Sequence, residues 1–174
     1  LIGTGFTTGG YSSGISAFDA AHQIFYLVAN VFGGSDAALY RVNATTGAVI
    51  GSATLNTAIP DLGLTPNFLA YDPVSAQVLA IVNLPPNKVL ASINPTTGAL
   101  TALSAPIAAT SYSSGLADFD EATGIFYFAA NDALGTTSTL FRVESDGTVL
   151  PSHAFTSSDP DITPGPTFLV VPEP

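Results

Sequence analysis

The chemistry open to this 174-residue chain is narrow, because it has no Cys and no Met and only two His. Without thiols there are no disulfides, no zinc-thiolate sites and no cysteine nucleophile. Histidine-assisted hydrolysis would have to use His22, which follows the pair Phe18-Asp19, or His153 near the C-terminal end. A Ser-His-Asp centre also needs an oxyanion hole facing the reacting carbonyl, and abundant Ser and Asp supply accidental partners anywhere. A hard cation such as calcium is the other chemical option, held by carboxylate and carbonyl oxygens. Its candidates are the cluster Asp118, Asp120 and Glu121, and the pair Asp159 and Asp161 around Pro160. Neither has the Asp-x-Asp-x-Asp-Gly spacing of a calcium loop, so turn-forming aspartates with solvated carboxylates are the alternative reading. No resident cofactor is expected, and Asn43-Ala44-Thr45 adds a glycosylation sequon.

Charge narrows the partners. Thirteen acidic residues stand against Arg41, Lys88 and Arg142, a formal net charge of −10. No basic stripe exists to neutralise phosphates, which argues against nucleic acid and against an anionic membrane surface. No apolar run approaches the 18 residues of a spanning helix. Arg41 and Arg142 are each expected to pair with a carboxylate or a carbonyl. The aromatics Tyr26, Tyr40, Tyr127 and Phe141 could line a sugar-binding rim or fill a core.

The elements that must carry these residues are announced by a repeat. Tyr11-Ser12-Ser13-Gly14 recurs as Tyr112-Ser113-Ser114-Gly115, Phe18-Asp19 as Phe119-Asp120, Ile24-Phe25-Tyr26 as Ile125-Phe126-Tyr127, and Leu39-Tyr40-Arg41-Val42 as Leu140-Phe141-Arg142-Val143, all at an offset of 101. Pro60-Asp61 and Phe68-Leu69 recur as Pro160-Asp161 and Phe168-Leu169 at an offset of 100. His22 and His153 have no counterparts, which speaks against an enzyme built on the repeat. Within the long period lies a shorter one near 50, marked by Phe18-Asp19, Tyr71-Asp72 and Phe119-Asp120 and by the turn glycines Gly47, Gly98 and Gly147. Four short strands per period of that length is the pattern of β-propeller blades. The reading is therefore all-β with almost no helix: a β-propeller-like array of three four-stranded blades at about 14–55, 67–105 and 115–156, within one domain. Each blade has an inner strand ending at the aromatic-Asp pair and a glycine hairpin before the last strand.

The segments Leu39 to Gly47 and Leu90 to Gly98 resemble the "Leu-Tyr-Arg-Val/Ile-Asn-x-Thr-Thr-Gly" hairpin of extracytoplasmic β-propeller repeats, a likeness that implies a fold and no activity. The final Pro172-Glu173-Pro174 resembles the sorting signal of bacterial PEP-CTERM proteins, which implies an exported protein handled by an exosortase and located at the cell surface or in extracellular matrix. In that family an apolar segment and basic residues follow the tripeptide, and they are absent here. The alternative is that the tripeptide descends from the turn matching Tyr71-Asp72-Pro73. A first residue other than Met suggests a longer precursor.

Three blades leave two orphan strands, Leu1 to Phe6 and Thr167 to Val171, while closed propellers usually hold about 4 to 8 blades. Unpaired apolar edges at Leu1, Ile2, Phe6, Phe168, Leu169, Val170 and Val171 point to pairing with a neighbouring copy. The expectation is a non-enzymatic extracellular structural protein, a homo-oligomer or filament formed by strand or blade complementation. The competing expectation is a glycan- or calcium-binding propeller whose ligand sits where blade loops converge.

Overall fold

A computed structural model describes residues 10–31, 36–109, 117–131, 134 and 137–155, with side chains from Ile15 onward in the first strand. Leu1, Ile2, Phe6, Phe168, Leu169, Val170, Val171, Asp159 and Asp161 lie outside the described residues. Twelve strands and no helix are found among those described. Sheet one contains β1 (Gly10–Asp19), β2 (Ile24–Asn30), β3 (Ala37–Asn43) and β4 (Val49–Thr54). Sheet two contains β5 (Phe68–Asp72), β6 (Gln77–Leu84), β7 (Asn87–Ile93) and β8 (Leu100–Ala102). Sheet three contains β9 (Ala117–Asp120), β10 (Ile125–Asn131), β11 (Ser138–Glu144) and β12 (Val149–Ala154). Each is an antiparallel meander in chain order, with the aromatic-Asp strand innermost.

Runs such as Ile24-Phe-Tyr-Leu-Val and Ile125-Phe-Tyr-Phe are aromatic and β-branched, which suits a pleated, half-buried surface. The turns are set by a few side chains. After each aromatic-Asp pair the carboxylate accepts the backbone N–H two or three residues on: His22 to Asp19 at 3.1 Å, Val74 to Asp72 at 2.9 Å and Ala122 to Asp120 at 3.0 Å. The fourth residue after each Asp is left-handed, Gln23 at φ 54°, Ala76 at 54° and Gly124 at 69°. In the outer hairpins Asn43 Oδ1 accepts the N–H groups of Thr45 and Thr46, and Asn94 Oδ1 those of Thr96 and Thr97. Gly47, Gly98 and Gly147 then reverse the chain at φ 70°, 73° and 97°.

The core lies between the sheets. One apolar cluster joins Ala17, Tyr26, Val28 and Leu39 of sheet one to Leu69, Tyr71, Val78, Ala80 and Val82 of sheet two. The second joins Phe68, Ala70, Leu79, Ile81 and Leu90 of sheet two to Phe126, Phe128, Phe141 and Val143 of sheet three. Sheet two is thus covered on both faces, and every residue of β5 is buried. Burying a ring such as Phe128 stabilises the interface by about 1.5–3 kcal/mol. The hairpin glycines permit the sheets to close on one another, since a Cβ on Gly98 would stand 2.0 Å from Thr54 O and one on Gly147 2.2 Å from Leu103 O. The outer turns of sheets two and three thus rest on the exit of the preceding sheet.

Candidate functional site

The polar groups of the molecule gather at the junctions between sheets. Asp19, 2% exposed, accepts His22 Nδ1 at 2.7 Å on Oδ2 and the Tyr71 hydroxyl from sheet two. Burial pushes the Asp19 carboxyl up, but the bonds from the His22 ring, the His22 N–H and Tyr71 outweigh it and leave it below the usual aspartate value. The Tyr71 hydroxyl is pushed up to about 12, by burial first and then by its bond to Asp19. Asp72, also 2% exposed, repeats the device one sheet on. Burial raises it, while the Ser75 hydroxyl at 2.6 Å, the Val74 N–H and the Ser145 hydroxyl of sheet three hold it below the ordinary value.

Asp120 is the third member of this series and behaves differently. Among the described residues its partners all lie in its own turn, the Thr123 hydroxyl at 2.6 Å and the N–H groups of Ala122 and Thr123, which lower its pKa. Asp118 Oδ1 accepts the Phe119 N–H at 2.9 Å, and Glu121 is exposed in the turn. No group of three or more His, Asp or Glu placed to hold a metal occurs among the described residues. His22 is a turn residue bonded to Asp19, and His153 lies exposed on β12. Asn43 is half-buried and spends its side-chain oxygen on its own hairpin.

The two arginines part company. Arg142 donates Nε at 3.2 Å and Nη2 at 2.8 Å to the Pro151 carbonyl, the carbonyl pairing its sequence position suggests. Arg41 does not follow: its Nε is buried without a partner, and its Nη2 lies 2.8 Å from where a Gly51 Cβ would be. The register differs too, since Arg41 stands opposite Gly51 and its guanidinium lies over bare backbone, whereas Arg142 stands opposite Leu150 and reaches the next residue, Pro151. Of the repeated aromatics, Tyr26 and Phe141 are buried between sheets, as core residues would be, whereas Tyr40 and Tyr127 are half-buried on the outward faces.

Those outward faces are the remaining site. On sheet three, Tyr127, Ala129 and Leu140 are half-buried, although their counterparts Tyr26, Val28 and Leu39 are buried against sheet two. On sheet one, Phe25, Leu27, Tyr40 and Val42 are half-buried, although their counterparts Phe126, Phe128, Phe141 and Val143 are buried against the other side of sheet two. The molecule therefore presents at each end a face of the kind it buries in its middle. The sheets stack through faces that alternate along the strand, with inner strands β1, β5 and β9 side by side.

Comparison with solved structures fits this geometry. The Dos1 propeller superposes with a TM-score of 0.52 at 11% identity, over 83% of this chain and 36% of that one. The chain has a β-propeller-like fold. The nidogen/laminin complex is also similar, with a TM-score of 0.48 and 18% identity over 80% of this chain and 46% of that one. TolB from Acinetobacter baumannii gives 0.41 and 14%, over 87% and 45%. The chain spans between about a third and a half of the length of these structures. No family model and no curated relative matches it. The likeness defines blades, so the three sheets are blades 1, 2 and 3 in chain order. Sequence periodicity made the blades visible, but the junctions Asp19–Tyr71 and Asp72–Ser145 had no sequence signal beyond the recurrence of the Asp itself.

Proposed function

We propose that this is a non-enzymatic structural protein of the cell surface or extracellular matrix whose copies join end to end, blade 3 of one against blade 1 of the next. One observation carries the reading: the half-bare faces at the two ends match, residue for residue, faces that are buried inside. Tyr127, Ala129 and Leu140 would be covered as Tyr26, Val28 and Leu39 are, and Phe25, Leu27 and Val42 as Phe126, Phe128 and Val143 are. The contact is head to tail, so it yields a ring if the rotation closes and a filament if it does not. The polar device at the internal junctions has a free member at this end, since Asp120 accepts nothing from another blade among the described residues. The export assignment draws its support from the resemblance of Pro172-Glu173-Pro174 to a sorting signal.

Light scattering and electron microscopy of the purified chain test the reading. Concentration-dependent rings or filaments are expected, and Leu140→Asp, which places a charge on the open face of blade 3, should leave monomers with unchanged circular dichroism. A wild-type chain that stays monomeric at every concentration overturns it.

A further inference from the structure

We infer that, where two copies join, Phe18 of one closes over Tyr127 and Asp120 of the other, and that the joint takes up a proton because Phe18 brings no hydroxyl to Asp120. The inference rests on the end-to-end contact and names the residues that set its strength and its response to pH.

Strand register fixes which residues correspond. Phe18 pairs with Phe25 and Tyr71 with Val78, so Phe18 holds on blade 1 the position of Tyr71 on blade 2. Ala17 pairs with Tyr26 and Asp118 with Tyr127, so Tyr127 and Asp120 hold on blade 3 the positions of Tyr26 and Asp19 on blade 1. Between blades 1 and 2 these positions meet: the Tyr71 ring is stacked on Tyr26, and its hydroxyl donates to Asp19. At the two ends Phe18 is 43% exposed, while Tyr127 and Asp120 are half-buried.

The hydroxyl is where the joint between copies differs. Each internal junction receives one from the next blade, by one of two routes. Asp19 receives it from Tyr71 of an inner strand. Blade 3 has Phe119 in the place of Tyr71, and there the hairpin residue Ser145 supplies the hydroxyl to Asp72. Blade 1 offers neither. Phe18 stands in the place of Tyr71, and Ala44 in that of Ser145, since Ala44 N–H donates to Gln23 O as Ser145 N–H does to Gly124 O, each at 2.8 Å. Asp120 therefore enters the joint with the Thr123 hydroxyl and the N–H groups of its own turn and gains no donor. A carboxylate taken out of water without a new donor holds a proton more tightly.

Neighbouring charges act in the same direction. Asp118 lies two residues away on the same face, Glu144 stands beyond Ile125 in the same row, and Glu121 follows in the turn, so three carboxylates favour the neutral form. Of the cationic groups on that face, Arg142 is held by the Pro151 carbonyl and His153 lies out on β12, opposite Leu140. The strands of blade 1 that face Asp120 bring Phe18, Phe25, Leu27, Tyr40 and Val42, with no carboxylate and no cation. His22 is bonded to Asp19, and Asp36 precedes β3 at the opposite end of the sheet.

Sedimentation of the full chain from neutral pH down to about pH 5 tests this, a range above the one in which Asp19 and Asp72 are protonated. Asp120→Asn keeps an oxygen for the turn and needs no proton. At neutral pH it should associate about tenfold or more tightly than the wild type, and the two should draw together as pH falls. His22 and His153 titrate in both chains and cancel in that ratio. Phe18→Tyr, a change at an exposed ring, should tighten association of the wild type about tenfold or more at neutral pH and do far less in Asp120→Asn. If wild type and Asp120→Asn assemble with one constant at every pH, and Phe18→Tyr adds nothing, the inference is overturned while the end-to-end contact stands. Absence of assembly in all three chains removes both.

Discussion

The Tyr71 hydroxyl of blade 2 donates to the Asp19 carboxylate of blade 1, while the Tyr71 ring lies on Tyr26 with centroids 5.8 Å apart and planes 17° from parallel. One residue thus supplies both the apolar and the polar part of a blade junction, and its two partners titrate in opposite directions. Asp19 has a depressed pKa, as has Asp72 at the next junction, so the stability they add is complete above the unfolded aspartate value of about 3.9 and is lost as pH falls through their folded values. Tyr71 is raised to about 12, so its share is complete below the unfolded value near about 10 and is lost as pH climbs from there to about 12. Denaturation measured across the pH range should show both limbs. Tyr71→Phe should shrink the alkaline limb to the part left by Tyr26, whose hydroxyl burial also raises, and cost about 1.5–3 kcal/mol at neutral pH, since a buried charged acceptor loses a donor. An alkaline limb unchanged in Tyr71→Phe would refute the assignment.

Two glycines with nearly the same backbone should respond very differently to alanine. Gly98 and Gly124 have φ of 73° and 69°, so each pays about 1–2 kcal/mol for a left-handed alanine. At Gly124 the nearest atom to the new Cβ is Ser145 Oγ at 3.4 Å, an ordinary contact. At Gly98 it is backbone, Thr54 O at 2.0 Å, so blades 1 and 2 must move apart at a further cost of about 1–3 kcal/mol. Urea denaturation of Gly98→Ala and Gly124→Ala checks the difference, and equal losses would show that the hairpin does not hold the junction.

How far this was legible in the sequence follows from the same residues. The offsets of 101 and 100 marked the blades, and Gly47, Gly98 and Gly147 marked their outer hairpins, because a hairpin is decided by a few adjacent side chains. The fate of a repeated residue was not legible. Asp19 and Asp120 follow the same aromatic and make the same turn, yet one is buried beneath another blade and the other is not. What covers them comes from a strand some 50 residues away in sequence, and a local pattern is blind to that. The same holds for Tyr26 and Tyr127, and for Arg41 and Arg142, whose difference depends on whether Gly51 or Pro151 stands beneath the guanidinium.

Those arginines give a third prediction. Arg142 holds the Pro151 carbonyl with two N–H groups, whereas Arg41 buries an Nε that bonds to nothing. An unsatisfied buried donor costs about 1–3 kcal/mol, so Arg41→Met, which keeps the apolar stem, should leave stability unchanged or raise it by up to about that amount. Arg142→Met should lower stability by about 1 kcal/mol, a hydrogen bond to a carbonyl at a partly exposed site. Thermal melts of the two variants decide it, and a large loss in Arg41→Met would mean that its guanidinium has a partner in the folded protein.

Salt should strengthen end-to-end association, and the sign follows from where the charge sits. Each copy carries a net charge of −10; the face of blade 1 offered for contact is built of Phe25, Leu27, Tyr40 and Val42 and holds no carboxylate, so Asp118 and Asp120, which share the face of Tyr127 on blade 3, meet no like charge across it. Repulsion between copies is then a long-range effect of the whole molecule, while attraction is apolar burial at the contact. Raising ionic strength from about 0.01 M to about 0.1 M shortens the Debye length from about 30 Å to about 10 Å and removes most of the repulsion, leaving apolar burial intact. Sulfate should help further by strengthening burial. An interface held by ion pairs would respond in the opposite direction, so light scattering across a sodium chloride series separates the two. Assemblies that dissolve as salt is added would place the contact on charged residues and exclude the apolar faces of blades 1 and 3.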